Sequence, residues 1–212
     1  MASYAFSRNP VDTPHVNTDF RLIATHIPAP GTVDVLERLD HVESRSMHGQ
    51  LPIVWKAAID STIVDIAGNR FIDFTSSIFI ANVGHSNPRV SAAIKGQIDQ
   101  DLYSTYSYAT TPRAEYLGRL TEFAGHGLDK AFLLSAGTEA TEAALKLMRL
   151  HGQRAGKRRL GILTIDGNWH GRTMGAQLLS SNEAQRAWIG HGDADIHHVP
   201  FPYPWVVRDA DA

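Results

Sequence analysis

The 212-residue sequence contains no cysteine. That excludes a disulfide-stapled scaffold, a thiolate metal site and a cysteine nucleophile, and it fits a reducing, cytoplasmic setting. Charge of either sign is not in excess: 20 Lys and Arg against 22 Asp and Glu give a formal net charge of -2 and a pI of about 6.6. No strong field for nucleic acid or an anionic membrane follows from that balance. No stretch approaches the ~20 consecutive apolar residues a membrane helix needs. The opening MASYAFSRNPVDTPHVNTDF has one Arg and no apolar centre, and does not read as a signal peptide. Internal repeats, a Walker A loop and a GxGxxG fingerprint are also missing. What remains is 43% hydrophobic and 20% charged, an ordinary globular composition long enough for one large core.

Residues 1 to about 30 are rich in Pro, Asn, Thr and His and read as an extended arm, suited to lying on a partner. A weak helical pattern runs from Thr32 to His48. PIVWKAAIDSTIVDIAGNRFIDF, residues 52–74, alternates apolar and polar residues and is broken at Asp60-Ser61 and Gly68-Asn69, which predicts a three-strand meander. Ser86 or Asn87 caps a helix that continues through Val90, Ile94 and Ile98 to about Leu102, with Pro88 in its first turn. A further helix starts near Pro112 and puts Tyr116, Leu117, Leu120 and Phe123 on one face. AFLLS (131–135) and LGILTID (160–166) read as buried strands and DIHHVPF as a third strand, with a helix from about Thr138 to Gly152 between the first two. Strands alternating with helices predict an α/β fold with a helix-covered sheet.

LLSAGTEATEAALKLMR, residues 133–149, carries the chemistry. A strand that turns through Ser135-Ala136-Gly137-Thr138 into a helix leaves unpaired N–H groups at the positive end of the helix dipole, where an anion such as phosphate is favoured. Gly137 allows close approach, and Thr138 offers a hydroxyl and a cap. The plainer reading is a capped helix, and Glu139 and Glu142 support it because carboxylates there already satisfy the dipole. Asp166-Gly167-Asn168-Trp169-His170-Gly171-Arg172-Thr173 follows the next strand. Trp169 is either a core residue or an aromatic face for a planar ring, and His170 a hydrogen-bonded loop residue or a ligand contact. Ligands of open α/β sheets bind at strand ends, and a phosphate joined to a flat heterocycle suits the two loops together. A metal reading of His191, Asp193, Asp195, His197 and His198 has suitable ligand types, but strand alternation would scatter them over two faces.

Three ordered stretches resemble the class III, or omega-amino-acid, aminotransferases, which use pyridoxal 5'-phosphate on the type I aminotransferase fold. They are GNRFIDFTSSIFIANVGHSNPRV, SAGTEATEAALKLMR and WHGRT, and they span roughly residues 52–180. The resemblance implies a partial type I fold: an arm and helix over 1–50, a small-domain β meander over 51–75, and over 76–212 the first, incomplete part of a large cofactor domain with a mainly parallel sheet. It implies that Gly137 and Thr138 hold the cofactor phosphate, and that Ala136 stands where the family has serine, so that one side-chain contact is missing or moved. Trp169 would stack on the pyridine ring, as in the dialkylglycine decarboxylase branch. His170 would shape the loop beneath, Glu139 would support it, and Phe79 would wall the substrate pocket or simply belong to the core.

The resemblance further implies amino transfer from an amine or omega-amino acid to a 2-oxo acid in a homodimer. A Schiff-base lysine and an aspartate on the pyridine nitrogen are required, and in the family both lie downstream of the WHGRT motif. Lys56, Lys95, Lys130, Lys146 and Lys157 have no matching context, so no catalytic residue is assigned here. The expectation is an N-terminal half, with the remainder in a separate chain or lost. Decarboxylase, aminomutase or racemase chemistry on the same cofactor, or a non-catalytic fragment that binds a partner, are the alternatives.

Overall fold

In the computed structural model, residues 6–47 and 50–202 are described. They belong to two units, residues 2–108 and 109–212.

The first unit is built on a five-stranded antiparallel sheet of order β1-β2-β5-β4-β3. The expected meander is present: β3 (Trp55–Ile59) pairs with β4 (Thr62–Asp65), and β4 with β5 (Arg70–Ile72), in the register Ile63↔Phe71. Its turns fall at the two predicted breaks. The stretch expected as an arm adds β1 (Val16–Asn17) and β2 (Leu22–Ile23), which extend the sheet beyond β5. α1 (Thr32–Val42) follows.

A buried polar node ties these pieces together. Asp65 and Asn69 are 1% and 0% exposed. The Asp65 carboxylate accepts from the Ala67 and Asn69 amides at 2.9 and 2.8 Å and from the Asn69 side-chain amide at 2.7 Å. Asn69 Oδ1 in turn accepts from the Ala24 amide at 2.8 Å, and Asn69 Nδ2 donates to Thr25 Oγ1 at 2.8 Å. A residue that reads as half of a turn signal thus fastens the N-terminal stretch to the meander.

Beyond β5 comes α2 (Ser76–Phe79), a single helical turn of the opposite hand. Ser76, Ser77, Ile78 and Phe79 have φ of 48°, 54°, 59° and 68°. Each such L-residue costs about 1–2 kcal/mol, more where the side chain is β-branched as in Ile78. α3 (Pro88–Ile98) begins as expected, with Asn87 Oδ1 accepting from the Arg89 amide at 3.0 Å and Pro88 in the first turn. It ends four residues earlier than its pattern predicts.

In the second unit, α4 (Thr111–Ala124) is capped by Thr110, whose hydroxyl accepts from the Arg113 amide at 3.3 Å. AFLLS is a correction. Residues 131–135 form no strand, and Phe132, Leu133 and Leu134 are 72%, 41% and 39% exposed. A strand needs a neighbour to bond with, and among the described residues none lies beside this run. α5 (Gly137–Arg154), β6 (Ile162–Ile165), α6 (Met174–Leu179), the short α7 (Glu183–Arg186) and β7 (Ile196–Val199) follow. β6 and β7 pair in parallel, Ile162↔Ile196 through Ile165↔Val199. Of the predicted buried strand, Ile162 and Thr164 are buried, while Leu163 is 73% exposed. The small core lies under α6, with Ala176, Leu179 and Ile189 joining Ile162. The apolar faces of α3 and α4 are not covered: neither helix has a buried residue.

Arg149 of α5 is hydrogen-bonded to Asp193 ahead of β7, and this bond holds the Asp193 carboxyl below its usual range. A group depressed in the folded state contributes stability above its unfolded value and loses it as pH falls through the folded one. Asp193→Asn should therefore flatten the fall in stability of this unit below about pH 4. An acid limb of unchanged slope in urea titrations of the variant would refute that contribution. No helix among the described residues is long and apolar enough to cross a membrane.

Candidate functional site

α5 starts at Gly137, with Ala136 as its N-cap in extended conformation and no side-chain cap. The expectation that Thr138 caps the helix is corrected. Thr138 lies inside the first turn, and its hydroxyl is 2.9 Å from that of Thr173. With no side-chain cap at Ala136, the N–H groups of Gly137 and Thr138 at the start of this 18-residue helix have no side-chain acceptor, the arrangement that favours an anion.

Of the two acidic residues that argued for a plain cap, Glu139 stays at the helix start, where the Ser135 and Ala136 amides bond to it, and Glu142 is occupied elsewhere. Glu139 turns back and accepts from the Ser135 hydroxyl at 2.5 Å and the Ser135 amide at 2.8 Å. These bonds hold its carboxyl below the usual range, the hydroxyl contributing most. Glu142 accepts from the Thr173 hydroxyl and from the Ala176 amide, the latter at 3.1 Å. It thereby supplies the acceptor that the start of α6 lacks, since Thr173, the N-cap of α6, makes no side-chain cap bond. The sequence reads Glu142 as satisfying the dipole of α5 and gives Thr173 no role of its own. Thr173 ends the WHGRT motif, which was the available signal.

The loop after β6 is pressed onto α5. Gly171 has φ of 132°, and a Cβ there would lie 2.2 Å from Thr138 Oγ1 and 2.6 Å from Thr138 Cβ. Only a glycine permits this approach. The SAGTE and WHGRT motifs, more than thirty residues apart in sequence, thus meet at Thr138, Gly171 and Thr173.

Trp169 is 57% exposed on this loop, with the Arg172 guanidinium 5.6 Å from its ring centroid. It is not a core residue. A cation over one face leaves the rest of the ring surface open. His170 turns inward: its amide donates to Ser180 Oγ at 3.0 Å, and its Nε2 lies 3.4 Å from Thr164 Oγ1. Thr164 is buried and donates to the Leu179 carbonyl at 2.8 Å. His170 therefore anchors the loop from below rather than facing outward.

Of the residues singled out from the sequence, Ala136, Gly137 and Thr138 lie at the start of α5, with Trp169 and His170 on the loop against it. Phe79 belongs to the other unit, at the end of α2, and is 80% exposed. It is not a core phenylalanine. The His-Asp stretch of the metal reading is divided: Asp193 is taken by Arg149, and no group of three metal-binding side chains occurs among the described residues.

The family profile described as aminotransferase class-III matches residues 44–212. The chain is 29% identical over 192 residues to a 4-aminobutyrate aminotransferase of Mycobacterium leprae, a match covering 87% of this chain and 41% of that one. Among solved structures it resembles an amine transaminase from an uncultivated Pseudomonas species in its PLP-bound form. There the TM-score is 0.66 and the identity 26%, over 77% of this chain and 38% of the other. The ornithine aminotransferase of Toxoplasma gondii ME49 matches with a TM-score of 0.74 and 20% identity, over 86% of this chain and 43% of that one. The chain spans about two fifths of the length of these relatives. It belongs to the class-III aminotransferase family.

Proposed function

We propose that these residues bind the phosphate end and one ring face of pyridoxal 5'-phosphate, the cofactor of class-III aminotransferases, in an enzyme that moves an amino group from an amine or omega-amino acid to a 2-oxo acid. The observation that carries the reading is the junction of the two motifs. The uncapped start of α5 touches the loop bearing Trp169 through Thr138, Gly171 and Thr173. An uncapped helix start beside an exposed tryptophan supports the reading, because a phosphorylated heterocycle requires an anion site next to an aromatic surface.

The fit is consistent at each group. Beyond its chain neighbours and the backbone of its own helix, nothing comes within 4 Å of a Cβ built at Gly137, so no other segment crowds the start of α5 there. Ala136 in place of serine leaves recognition to the backbone N–H groups, since the Thr173 hydroxyl donates to Glu142 and the Thr138 hydroxyl bonds to Thr173. Glu142 fixes the Thr173 hydroxyl, and the His170 amide, bonded to Ser180, fixes the loop, so both sides of the site are oriented before a ligand arrives. When bound, the cofactor supplies an electron sink for charge that develops at the amine carbon. The Schiff-base lysine and the aspartate that faces the pyridine nitrogen are proposed to come from residues outside these 212, with Phe79 as a wall of the substrate pocket. Homodimerisation and a cytoplasmic setting complete the proposal.

The test is a titration of the protein with the cofactor and with pyridoxal, which lacks the phosphate, followed by tryptophan fluorescence. The phosphorylated compound should bind at least about tenfold more tightly, the worth of one charge-assisted contact. Equal affinities would remove the phosphate role of α5. Trp169→Ala should weaken cofactor binding by about 1 kcal/mol through lost aromatic contact, and an unaltered affinity would refute the stacking role.

A further inference from the structure

The left-handed turn α2 carries no glycine or asparagine to ease its backbone, and such runs persist only where their surroundings over-determine them. One carboxylate does so. Asp73 Oδ1 accepts from the Thr75 hydroxyl at 2.6 Å and the Thr75 amide at 2.8 Å. Asp73 Oδ2 accepts from the Ser77 amide at 3.0 Å and lies 2.7 Å from His85 Nε2. The two side chains are only 5% and 11% exposed. The Thr75 hydroxyl and His85 hold this carboxyl far below its ordinary range.

The far end of the pair is itself anchored. His85 exchanges backbone hydrogen bonds with Asp60 at the β3–β4 turn, at 2.9 and 2.8 Å, and its ring meets the edge of Trp55 at a centroid distance of 5.7 Å. Gly84, with φ of 87°, lets the chain pass Asp60, since a Cβ there would lie 3.2 Å from Asp60 Cα. The Gly-His pair of the first motif, given no role by the sequence, thus closes the loop that α2 occupies.

We propose that Asp73, with His85 as its counter-group, is a positioning residue that holds α2 left-handed and so fixes the outward presentation of Ile78, Phe79 and Ile80. These three are 70%, 80% and 79% exposed. The functional consequence rests on Phe79 as a wall of the substrate pocket. The clasp itself does not.

Amide hydrogen exchange on the full chain tests the clasp. Asp73→Asn keeps the shape but sets an NH2 group against existing donors. It should speed exchange at Ile80 and Ala81, whose amides bond to Ser76, by about tenfold or more, the loss of a charge-assisted bond. The paired strands β4 and β5 should keep their protection. Asp73→Asn/Ile78→Gly should recover protection at Ile80 and Ala81, because glycine adopts left-handed backbone freely. Unchanged exchange in Asp73→Asn, or faster exchange in turn and sheet alike with no recovery by glycine, would overturn the proposal. In the active holoenzyme, Asp73→Asn and Phe79→Ala should both raise the donor KM while leaving kcat near its original value. A rise in Phe79→Ala alone overturns the positioning role. No rise in either, with the exchange results as expected, overturns only the reading of Phe79, and the clasp stands.

Discussion

Gly171→Ala should destabilise residues 109–212 by about 3–5 kcal/mol and abolish measurable cofactor binding. Two effects add. A φ of 132° is a conformation that L-residues take only under strain, at about 1–3 kcal/mol. The new methyl would also sit 2.6 Å from Thr138 Cβ, inside the first turn of α5, and overpacking of that kind costs about 1–3 kcal/mol where neighbours can shift. The cheapest escape is for the loop to lift from the helix. That breaks the Thr138–Thr173 contact and removes Trp169 from the start of α5, so binding fails together with stability. Urea unfolding monitored by circular dichroism, paired with cofactor titration, would read both. A loss below about 1 kcal/mol with binding retained would show that the junction between the two motifs is not required.

Asn69→Ala should cost residues 2–108 about 3–5 kcal/mol. The side chain is fully buried and acts in both directions, accepting from Ala24 and donating to Thr25 and Asp65. Its removal leaves the part-buried Ala24 bond without its acceptor and the buried Asp65 carboxylate short of one donor. Unsatisfied buried groups cost about 1–3 kcal/mol each, more when charged. The effect should appear first in the N-terminal stretch, as loss of exchange protection in β2, because Asn69 is what fastens residues 24 and 25 to the meander. An Asn69→Asp variant should fare no better, since it would set two carboxylates against each other. Stability unchanged within about 1 kcal/mol would mean that water replaces the side chain at no cost.

Much of this was legible in the sequence because local rules and tertiary context agree. Asp60-Ser61 and Gly68-Asn69 mark turns that are present, Asn87-Pro88 starts the helix it predicts, α4 begins next to the Pro112 that announces it, and the small residues before Glu139 lead into α5. Where the two disagree, the sequence misleads. Phe132-Leu133-Leu134 looks like a strand because apolar runs usually are strands, yet a ladder has two sides and the run specifies only one. The stripes of α3 and α4 likewise announce faces to be buried without supplying what buries them, and this chain spans about two fifths of the relatives it matches. Thr138 has the chemistry of a cap but lies two residues past the N-cap position, inside the first turn. Thr75-Ser76-Ser77-Ile78-Phe79 contains no signal for a left-handed turn at all. The turn is imposed by Asp73 and His85, twelve residues apart, and no window shorter than that could reveal it.

The parallel pair β6–β7 has a consequence for handling the protein. Parallel strands are ordinarily shielded on both faces and continued on both sides, and two strands alone are marginal in water. Here Leu163 faces outward and, among the described residues, no third strand flanks the pair. Such bare ladders recruit one another when crowded. The purified chain should therefore turn cloudy as it is concentrated. Light scattering that rises steeply with protein concentration, and that Leu163→Lys suppresses, would trace the turbidity to this sheet.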